Sequence, residues 1–406
     1  MSDDSIIIVG AGQAGGCAAA ALRDAGYTGR ITLIGKEVHL PYERPPLSKG
    51  VLSGDVALDT VFLRTRDWYD NTRIDVRLGT GVVEIDRDDK RVVAEDGRSF
   101  RYDKLLITTG SRARRLALPG SADSDIIYLR GIDDTFSLRN RLKRGKKLAI
   151  IGAGFIGLEI AATAVTVGCD VEVFEVASGP LGRVMPDAIG NVVLSKHADR
   201  GVRFRFRAAV VAVDRKDARV VLRLADGETV EADTVIAGIG AVPNDELASR
   251  AGLTVSNGIV VDEFGRTSDP AIFAAGDVTR HYNPLLKRQI RLEAWQNAQN
   301  QAIAVANVMV GGTAPFAEVP WLWSDQFDMN LQVAGHPIEW DELVWRGEPE
   351  EKQSIAFQLL GGVPVGAIAI NNARDMRFAR QLIAKGQGVN AALLADRTYK
   401  IQELCK

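Results

Sequence analysis

The sequence is poor in the residues that form disulfides and bind metals. Among 406 residues it has three cysteines and four histidines. Cys17, Cys169 and Cys405 lie far apart and form no C-x-x-C pair, so we expect no disulfide framework. The histidines show no metal-ligand spacing, and we expect no metal site. This cysteine usage fits a reducing compartment, and we expect the protein in the cytoplasm.

A strong excess of charge is also missing. The formal net charge is −2, which does not indicate a nucleic acid or an anionic membrane as partner. The long charge-free run is near the N-terminus, at Ser5–Leu22. The acidic residues Asp3 and Asp4 precede this run and glycines interrupt it, which is unlike a signal peptide. We therefore expect neither export nor a membrane span.

The glycines of this run lie between a predicted strand and a predicted helix. Ile6–Val9 is a continuous β-branched run, typical of a strand buried on both faces. The pattern G-x-G-x-x-G follows at Gly10, Gly12 and Gly15, and an alanine-rich stretch leads to the strand Ile31–Ile34. Such glycines allow a tight turn and let the backbone approach a pyrophosphate at a helix N-terminus. The stretch predicts a dinucleotide-binding βαβ unit.

A second motif of this kind begins 142 residues further on. The strand Lys147–Ile151 leads into Gly152, Gly154 and Gly157, and another helical stretch leads to the strand Val171–Phe174. Each motif is later followed by a similar strand that ends in glycine, in DKLLITTG and DTVIAGIG. The repetition indicates a duplicated architecture that binds two different dinucleotides.

The remaining segments complete the predicted domain organisation. Val82–Tyr102 and Val210–Asp233 have D-G turns and predict small antiparallel sheets beside the nucleotide-binding domains. From Pro320 the pattern changes and predicts a separate C-terminal α+β domain. The fold class is therefore α/β with two Rossmann-like domains. The predicted parts are 1–112 with 241–319 for the first dinucleotide, 113–240 for the second, and 320–406 for the C-terminal domain.

The residue after the second strand of each motif predicts how the ribose is bound. In the second motif this residue is Glu175, and a carboxylate there accepts hydrogen bonds from the ribose hydroxyls of NAD and repels the 2′-phosphate of NADP. No arginine or lysine follows before Arg183. In the first motif the strand is followed by Gly35, Lys36 occupies the first position after it, and Glu37 comes next. Either Glu37 binds the ribose with an offset of one residue, or the ribose is held in another way.

Several further stretches resemble one enzyme family. They are PYERPPLSK, ITTGSRAR, YLR at 128–130, GAGFIGLE, AGIGAVPN, TSDPAIFAAGDV and PWLWSDQF. Together they resemble the FAD- and NADH-dependent ferredoxin reductases of bacterial oxygenase systems, which have the glutathione-reductase-like fold with two dinucleotide sites. The resemblance covers essentially the whole chain. It implies FAD in the first motif, NADH in the second, and a [2Fe–2S] ferredoxin as electron acceptor.

The resemblance also implies roles for individual positions. Lys49 and Glu159 are implied as a catalytic pair between the isoalloxazine and the nicotinamide, and Asp277 as the acceptor of the ribityl hydroxyls. The positions implied for FAD are Gly10, Gly12, Ala14, Gly15, Glu37, Arg44, Lys49, Val82, Thr109, Gly110, Arg130, Gly276, Asp277 and Trp295. The positions implied for NADH are Gly152, Gly154, Phe155, Ile156, Gly157, Glu159, Glu175, Gly238, Gly240 and Trp321.

The segment Pro45–Lys49 has no cysteine, although the disulfide and peroxide reductases of the same fold carry one or two redox-active cysteines in this region. Cys17 falls among alanines on the first predicted helix, where a small buried hydrophobe is expected. The resemblance therefore implies that hydride passes from NADH to the flavin and that electrons then leave the flavin singly and directly.

The last predictions concern the electron acceptor and the surface to which it docks. We expect a transient complex with an acidic ferredoxin and a monomer or weak homodimer, with Arg64, Arg66, Lys287, Arg288 and Arg291 as docking candidates. An aromatic-ring-hydroxylating dioxygenase is the favoured oxygenase. A cytochrome P450 system, a rubredoxin reductase and an NADH oxidase remain alternatives. A flavoprotein that senses NADH without turnover would instead reoxidise slowly with every ferredoxin.

Overall fold

A computed structural model of the protein describes residues 4–118, 125–182, 185–349 and 351–406. Short 3-10 turns occur at Pro45–Ser48, Leu58–Val61 and Ile401–Cys405. The α-helices are α1 (Gln13–Asp24), α2 (Gly50–Ser53), α3 (Arg66–Asn71), α4 (Ile132–Arg139), α5 (Phe155–Thr166), α6 (Asp187–Ala198), α7 (Glu246–Arg250), α8 (Trp295–Met309), α9 (Ala373–Lys385) and α10 (Ala391–Ala395).

The strands of the first half are β1 (Ser5–Val9), β2 (Arg30–Ile34), β3 (Ile74–Arg77), β4 (Val82–Asp86), β5 (Arg91–Ala94), β6 (Ser99–Arg101), β7 (Lys104–Ile107), β8 (Ser111–Ala113), β9 (Ile126–Ile127), β10 (Lys147–Ile151), β11 (Asp170–Glu175) and β12 (Arg203–Phe206). Those of the second half are β13 (Val210–Lys216), β14 (Arg219–Leu224), β15 (Thr229–Ala232), β16 (Thr234–Ala237), β17 (Ala241–Pro243), β18 (Ile259–Val261), β19 (Ile272–Ala274), β20 (Thr279–Asn283), β21 (Arg288–Ile290), β22 (Trp321–Gln326), β23 (Met329–Gly335), β24 (Glu342–Arg346), β25 (Ser354–Leu360) and β26 (Val363–Ile370).

Two parallel sheets share an arrangement of four strands around the two glycine motifs. The first has the order β3–β2–β1–β7–β19, and the second the order β12–β11–β10–β16–β9. The sheets differ at the last strand, since β19 follows its motif in the chain whereas β9 precedes its motif. In the first, Val9 is aligned with Ile34 and Ile107. In the second, Ile151 is aligned with Phe174 and Ala237. The motif strand is therefore central in both sheets, and the predicted α/β fold with two Rossmann-like domains is confirmed.

Antiparallel sheets accompany the parallel ones. The strands β4–β5–β6 and β13–β14–β15 form meanders at the two segments where the D-G turns predicted them. Glycines with positive φ, Gly97 at 81° and Gly227 at 92°, make these turns possible. After Pro320 the chain forms an antiparallel sheet in the order β22–β23–β26–β25–β24 with α9 and α10, as expected of an α+β domain.

The chain divides into two compact units. The first unit comprises 4–44, Leu58–Arg112 and Val242–Pro320, and the second comprises Pro45–Ala57 with the described residues of 113–241 and 321–406. Unlike in the predicted division, Pro45–Ala57 lies with the second unit, because Leu52 is buried in the same apolar cluster as Leu138 and Leu158. The finer division into three functional domains remains a prediction.

Candidate functional site

The glycines of the first motif differ in how closely the rest of the chain packs against them. A Cβ on Gly10 would lie 2.2 Å from the carbonyl oxygen of Thr108, and one on Gly15 would lie 1.9 Å from that of Gly10. These two glycines are required by the packing of the chain on itself. A Cβ on Gly12, by contrast, would have no closer neighbour in the described part of the chain than Nη2 of Arg44, at 4.0 Å. Space is therefore left at Gly12, where the motif is expected to admit a phosphate.

Arg44 brings a positive charge to this space. Its Nη2 pairs with Oε1 of Glu37 at 2.6 Å, and its Nη1 donates to the hydroxyl of Tyr42 at 2.8 Å. The same hydroxyl donates to Oε2 of Glu37 at 2.5 Å. Lys36 pairs instead with Glu95, at 3.3 Å in an exposed position. Glu37 thus orients Arg44 at the loop, and its role toward a ribose remains a prediction.

Asp277 lies beside the start of α1. A Cβ on Gly276 would be 3.0 Å from the Cβ of Ala14, the second residue of that helix. The hydroxyl of Ser111 donates to Oδ2 of Asp277 at 3.0 Å, and Oε1 of the buried Gln301 accepts from the amide of Gly276 at 2.8 Å. The structure thus places Asp277 next to the first motif, with its carboxylate held by a neighbouring hydroxyl.

The other predicted FAD positions are divided between the two units. In the first unit, Thr109 donates through Oγ1 to the carbonyl of Asn244 at 2.8 Å, Val82 begins β4 and Trp295 begins α8. Gly110 has a φ of 64° and follows Thr109. Arg130 and Lys49 belong to the second unit.

The glycines of the second motif fall into the same two groups as those of the first, two that are closely packed and one that is open. A Cβ on Gly152 would lie 2.5 Å from the carbonyl oxygen of Gly238, and one on Gly157 would lie 2.2 Å from that of Gly152. The nearest neighbour of a Cβ on Gly154 is again the Gly238 carbonyl oxygen, but at 3.8 Å. Space is therefore left at Gly154, the equivalent of Gly12.

The start of α5 and the strand ends frame this second loop. Phe155 and Ile156 form the first turn of α5, and Ile156 is 45% exposed. Gly238 follows β16. Gly240 has a φ of 108°, and a Cβ on it would meet no atom of the described residues within 4 Å. Trp321, the last predicted NADH position, begins β22 and stacks on Trp323 with ring centroids 5.3 Å apart.

Glu175 is held in a fixed orientation by backbone amides. Its Oε2 accepts from the amide of Ala153 at 2.8 Å, inside the glycine loop, and its Oε1 accepts from the amide of Ala177 at 2.9 Å. Each carboxylate oxygen retains a lone pair for a ribose hydroxyl. Arg183 lies outside the described residues.

Lys49 and Glu159 form an ion pair within the second unit. Nζ of Lys49 lies 2.8 Å from Oε2 of Glu159, whose side chain is only 4% exposed. Lys49 also donates to the carbonyl oxygen of Pro45 at 3.1 Å. The hydroxyls of Ser48 and Ser324 donate to Oε2 and Oε1 of Glu159 at 2.5 and 2.6 Å. The pair is thus anchored from both sides of the carboxylate.

The sequence did not single out the residues that support these groups. Tyr42, Ser48, Ser111 and Ser324 all lie within stretches that carry the family resemblance, so the stretches themselves were the available signal. Gln301, on α8, has no such signal because its partner Gly276 is 25 residues away along the chain.

The docking candidates all belong to the first unit. Arg64 and Arg66 are exposed at the start of α3, and Lys287 is exposed at the turn between β20 and β21. Arg288 is half-buried, and burial lowers its pKa. Arg291 forms an ion pair with a neighbouring glutamate. Lys287, Arg64 and Arg66 therefore offer the more accessible charges.

Neither a metal centre nor a membrane helix occurs among the described residues. No group of three or more His, Cys, Asp or Glu side chains there is arranged to hold a metal ion. None of the described helices combines the length and apolar character needed to cross a bilayer.

Comparisons with known proteins agree with the geometry. The pyridine nucleotide-disulphide oxidoreductase family matches residues 4–302, and the reductase C-terminal family matches residues 321–405. The chain is 44% identical to the ferredoxin–NAD(+) reductase component of the anthranilate 1,2-dioxygenase system of Burkholderia cepacia, over 99% of both chains. It is 42% identical to the corresponding component of the 3-phenylpropionate/cinnamic acid dioxygenase of Photorhabdus laumondii, over 95% of this chain and 97% of the relative.

A solved structure gives the same result. The chain superposes on putidaredoxin reductase, crystallised in covalent complex with putidaredoxin, with a TM-score of 0.96 and 35% identity, covering 100% of this chain and 98% of the other. The predicted family is confirmed. The chain belongs to the pyridine nucleotide-disulphide oxidoreductase family and, within it, to the ferredoxin–NAD(+) reductases, which use FAD and NAD(H).

Proposed function

We propose that the protein is the NADH-dependent reductase component of an aromatic-ring-hydroxylating dioxygenase system and passes electrons to its [2Fe–2S] ferredoxin. The observation that carries the proposal is the presence of two complete dinucleotide loops in one chain, each with an open middle glycine, at Gly12 and Gly154. The two curated relatives, at 44% and 42% identity, are both reductase components of dioxygenase systems, which favours a dioxygenase. We also propose a cytoplasmic location, since the three cysteines are free thiols.

The first motif fits FAD. The space at Gly12 admits a pyrophosphate, the Arg44 guanidinium beside it offers charge-assisted hydrogen bonds, and Asp277 offers a carboxylate to ribityl hydroxyls. FAD when bound accepts a hydride and releases its two electrons one at a time. In the second motif we assign the space at Gly154 to the pyrophosphate of NADH, and Glu175 to its ribose.

We assign Lys49 and Glu159 to the region where the nicotinamide meets the flavin. Burying a charge is costly unless it is paired and hydrogen-bonded, and the contacts of Glu159 meet both conditions. The pair therefore holds an ammonium group at a fixed point while remaining neutral overall. This arrangement orients a cofactor without adding net charge to a buried region.

No thiol of this protein is suited to relay electrons. Burial raises the pKa of Cys17 to about 11, and burial also raises the pKa of Cys169 and Cys405. Because the thiolate is the reactive form, a raised pKa makes each of these thiols less reactive at neutral pH. We expect a variant with Cys17→Ala, Cys169→Ala and Cys405→Ser to keep its rate of flavin reduction by NADH within about twofold of the wild type. Loss of hydride acceptance in this variant, with FAD still bound, would show that a thiol takes part.

The docking of ferredoxin should depend on salt. Exposed charges are screened over about 10 Å at 0.1 M salt and over about 3 Å at 1 M. We propose that the reductase is a monomer or weak dimer and that its basic residues steer an acidic ferredoxin into a transient complex. The rate of ferredoxin reduction should therefore fall as the salt concentration rises. Reduction of the flavin by NADH should change much less.

A pair of charge reversals gives the matched comparison. Lys287→Glu should raise the ferredoxin concentration needed for the half-maximal rate, whereas Lys216→Glu, at an exposed position on β13 in the other unit, should not. Steady-state kinetics with varied ferredoxin measures both. Equal salt sensitivity of the two half-reactions, or equal effects of the two variants, would argue against this docking surface.

The acceptor can be tested directly. The purified holoprotein with NADH should reduce the [2Fe–2S] ferredoxin of a dioxygenase faster than that of a cytochrome P450 system, and both faster than a rubredoxin. Oxygen consumption without acceptor serves as the control and should be slow. A preference for the P450 ferredoxin would reassign the oxygenase, and fast oxygen consumption would indicate an NADH oxidase.

A further inference from the structure

The buried carboxylate of Glu159 has an asymmetric environment. Its Oε2 receives the Lys49 ammonium at 2.8 Å and the Ser48 hydroxyl at 2.5 Å. Its Oε1 receives a hydroxyl proton from Ser324 at 2.6 Å, the sole donor to this oxygen in the described part of the chain. The orientation of the carboxylate, and with it the position of Lys49, therefore depends on the direction in which Ser324 donates.

The hydroxyl of Ser324 receives a hydrogen bond from its neighbour on the same strand. Ser324 and Gln326 lie two residues apart on β22, so their side chains share one face, and both are fully buried. Nε2 of Gln326 donates to Oγ of Ser324 at 3.0 Å. A hydroxyl has one proton to give. Because the amide of Gln326 donates to a lone pair of the Ser324 oxygen, the Ser324 proton remains available to donate to Glu159.

His197 fixes the orientation of the Gln326 amide. Nε2 of the fully buried His197 lies 2.9 Å from Oε1 of Gln326, and a carbonyl oxygen only accepts, so the proton of the neutral ring is on Nε2. The ring packs between Phe204 and Phe327, with centroids 6.0 and 5.0 Å away. Its Nδ1 has no hydrogen-bond partner among the described atoms, and burial lowers the pKa of His197, which favours the neutral ring.

Only one direction of donation gives each of the three contacts between these four residues one donor and one acceptor. His197 donates to Gln326, Gln326 to Ser324, and Ser324 to Glu159. With the Gln326 amide flipped, Ser324 would donate to Gln326 and would turn a lone pair toward a carboxylate. Chains of hydrogen bonds that point the same way strengthen one another.

We propose that Ser324 is a positioning residue for hydride transfer, and that Gln326 and His197 set the direction in which it donates. The inference rests on the proposed function, in which Lys49 and Glu159 border the reacting cofactors. Without Ser324, Oε1 of Glu159 loses its donor and the carboxylate is held through Oε2 alone. The orientation of the carboxylate, and with it the position of the Lys49 ammonium, is then less tightly fixed. The contacts of Glu175 with NADH do not depend on Ser324.

The kinetic test uses the FAD-loaded protein and the half-reaction with NADH. Ser324→Ala should lower the limiting rate of flavin reduction about tenfold or more, the scale of losing a hydrogen bond to a charged group, while the NADH concentration at half-saturation stays within about twofold. Ser324→Thr keeps the hydroxyl and should restore most of the rate. Ser354→Ala is the matched control, because Ser354 is also fully buried in the same sheet but its hydroxyl has no hydrogen-bond partner in the described structure.

Nitrogen NMR of labelled histidine rings adds a readout that does not depend on rate. The protein has four histidines, so His197 is assignable with single variants. We expect the wild type and Ser354→Ala to carry the His197 proton on Nε2, and Ser324→Ala to give a mixture of tautomers. Gln326→Met removes the link to His197 but leaves the contact of Ser324 with Glu159, and should lower the limiting rate by less than Ser324→Ala. If Ser324→Ala does not fold, the inference is tested by the limiting rate of Gln326→Met and by the histidine spectrum of the wild type.

Two results would overturn the inference. The first is a His197 ring protonated on Nδ1 in the wild type. The second is a limiting rate of flavin reduction in both Ser324→Ala and Gln326→Met that lies within about twofold of the wild-type rate. The half-reaction with NADH needs no ferredoxin. A wrong choice of acceptor in the proposed function therefore gives a different result from a failure of this inference.

Discussion

Gly12→Ala is expected to give a folded protein that no longer retains FAD. Among the described residues, a Cβ at this position meets no atom within 4.0 Å except Nη2 of Arg44 at that limit, so the FAD-free chain should accept it. The pyrophosphate needs the same space, and the backbone must approach it closely. We expect FAD to bind about 100-fold more weakly, equivalent to about 2.7 kcal/mol. FAD titration and the flavin-to-protein ratio after purification measure the loss.

Three further glycines make the result specific. Gly10→Ala should lower the melting temperature even of the FAD-free protein, because its Cβ would overlap Thr108 and its φ is 115°. Gly154→Ala should keep FAD and weaken NADH binding. Gly388→Ala, with its nearest neighbour at 3.8 Å, should change neither. Full FAD occupancy in Gly12→Ala would contradict the assignment of the first motif.

NADH should be preferred over NADPH, and Glu175 should be the reason. A 2′-phosphate brings about 1.5 to 2 negative charges at neutral pH to a carboxylate that the amides of Ala153 and Ala177 hold in place. Repulsion and the lost hydroxyl bond should together cost roughly 2–4 kcal/mol, or about 30- to 1000-fold in kcat/KM. Glu175→Ala should weaken the use of NADH and shrink the preference, mostly through KM, because the ribose is remote from the transferred hydride.

A neighbouring glutamate provides the control for this experiment. Glu172 lies on the same strand, β11, and pairs with Arg205 at 2.6 Å. Glu172→Ala removes the same charge without touching the glycine loop and should keep the wild-type preference. Measurements of kcat/KM with both nucleotides compare the three proteins. A preference ratio unchanged in Glu175→Ala would place the selectivity elsewhere.

The parts of the structure that could be predicted are those encoded locally. The two glycine motifs, their strands and Glu175 each lie within about 30 residues, which is the length of one βαβ unit, so their relation is visible in the sequence. The duplicated strand order followed from the same spacing. The assignment of FAD and NADH to the two motifs depended on the family resemblance as well.

The parts that could not be predicted depend on contacts between distant segments. Ser324 is 165 residues from Glu159, and Gln326 is 129 residues from His197, so no local pattern relates them. The packing of Pro45–Ala57 with the second unit has the same origin, because burial of Leu52 is decided by tertiary contacts. Local patterns identify the glycine loops, whereas Ser324, which hydrogen-bonds to the proposed catalytic residue Glu159, comes from a distant part of the chain.

The central claim is that electrons pass from NADH through the flavin to a one-electron acceptor without a thiol. An anaerobic titration of the cysteine-free variant with limiting NADH, in the presence of excess [2Fe–2S] ferredoxin, tests it most directly. A hydride carries two electrons and each cluster accepts one, so we expect roughly two ferredoxins reduced for each NADH consumed. Consumption of NADH with no reduced ferredoxin, or a requirement for a cysteine to reach this ratio, would contradict the claim.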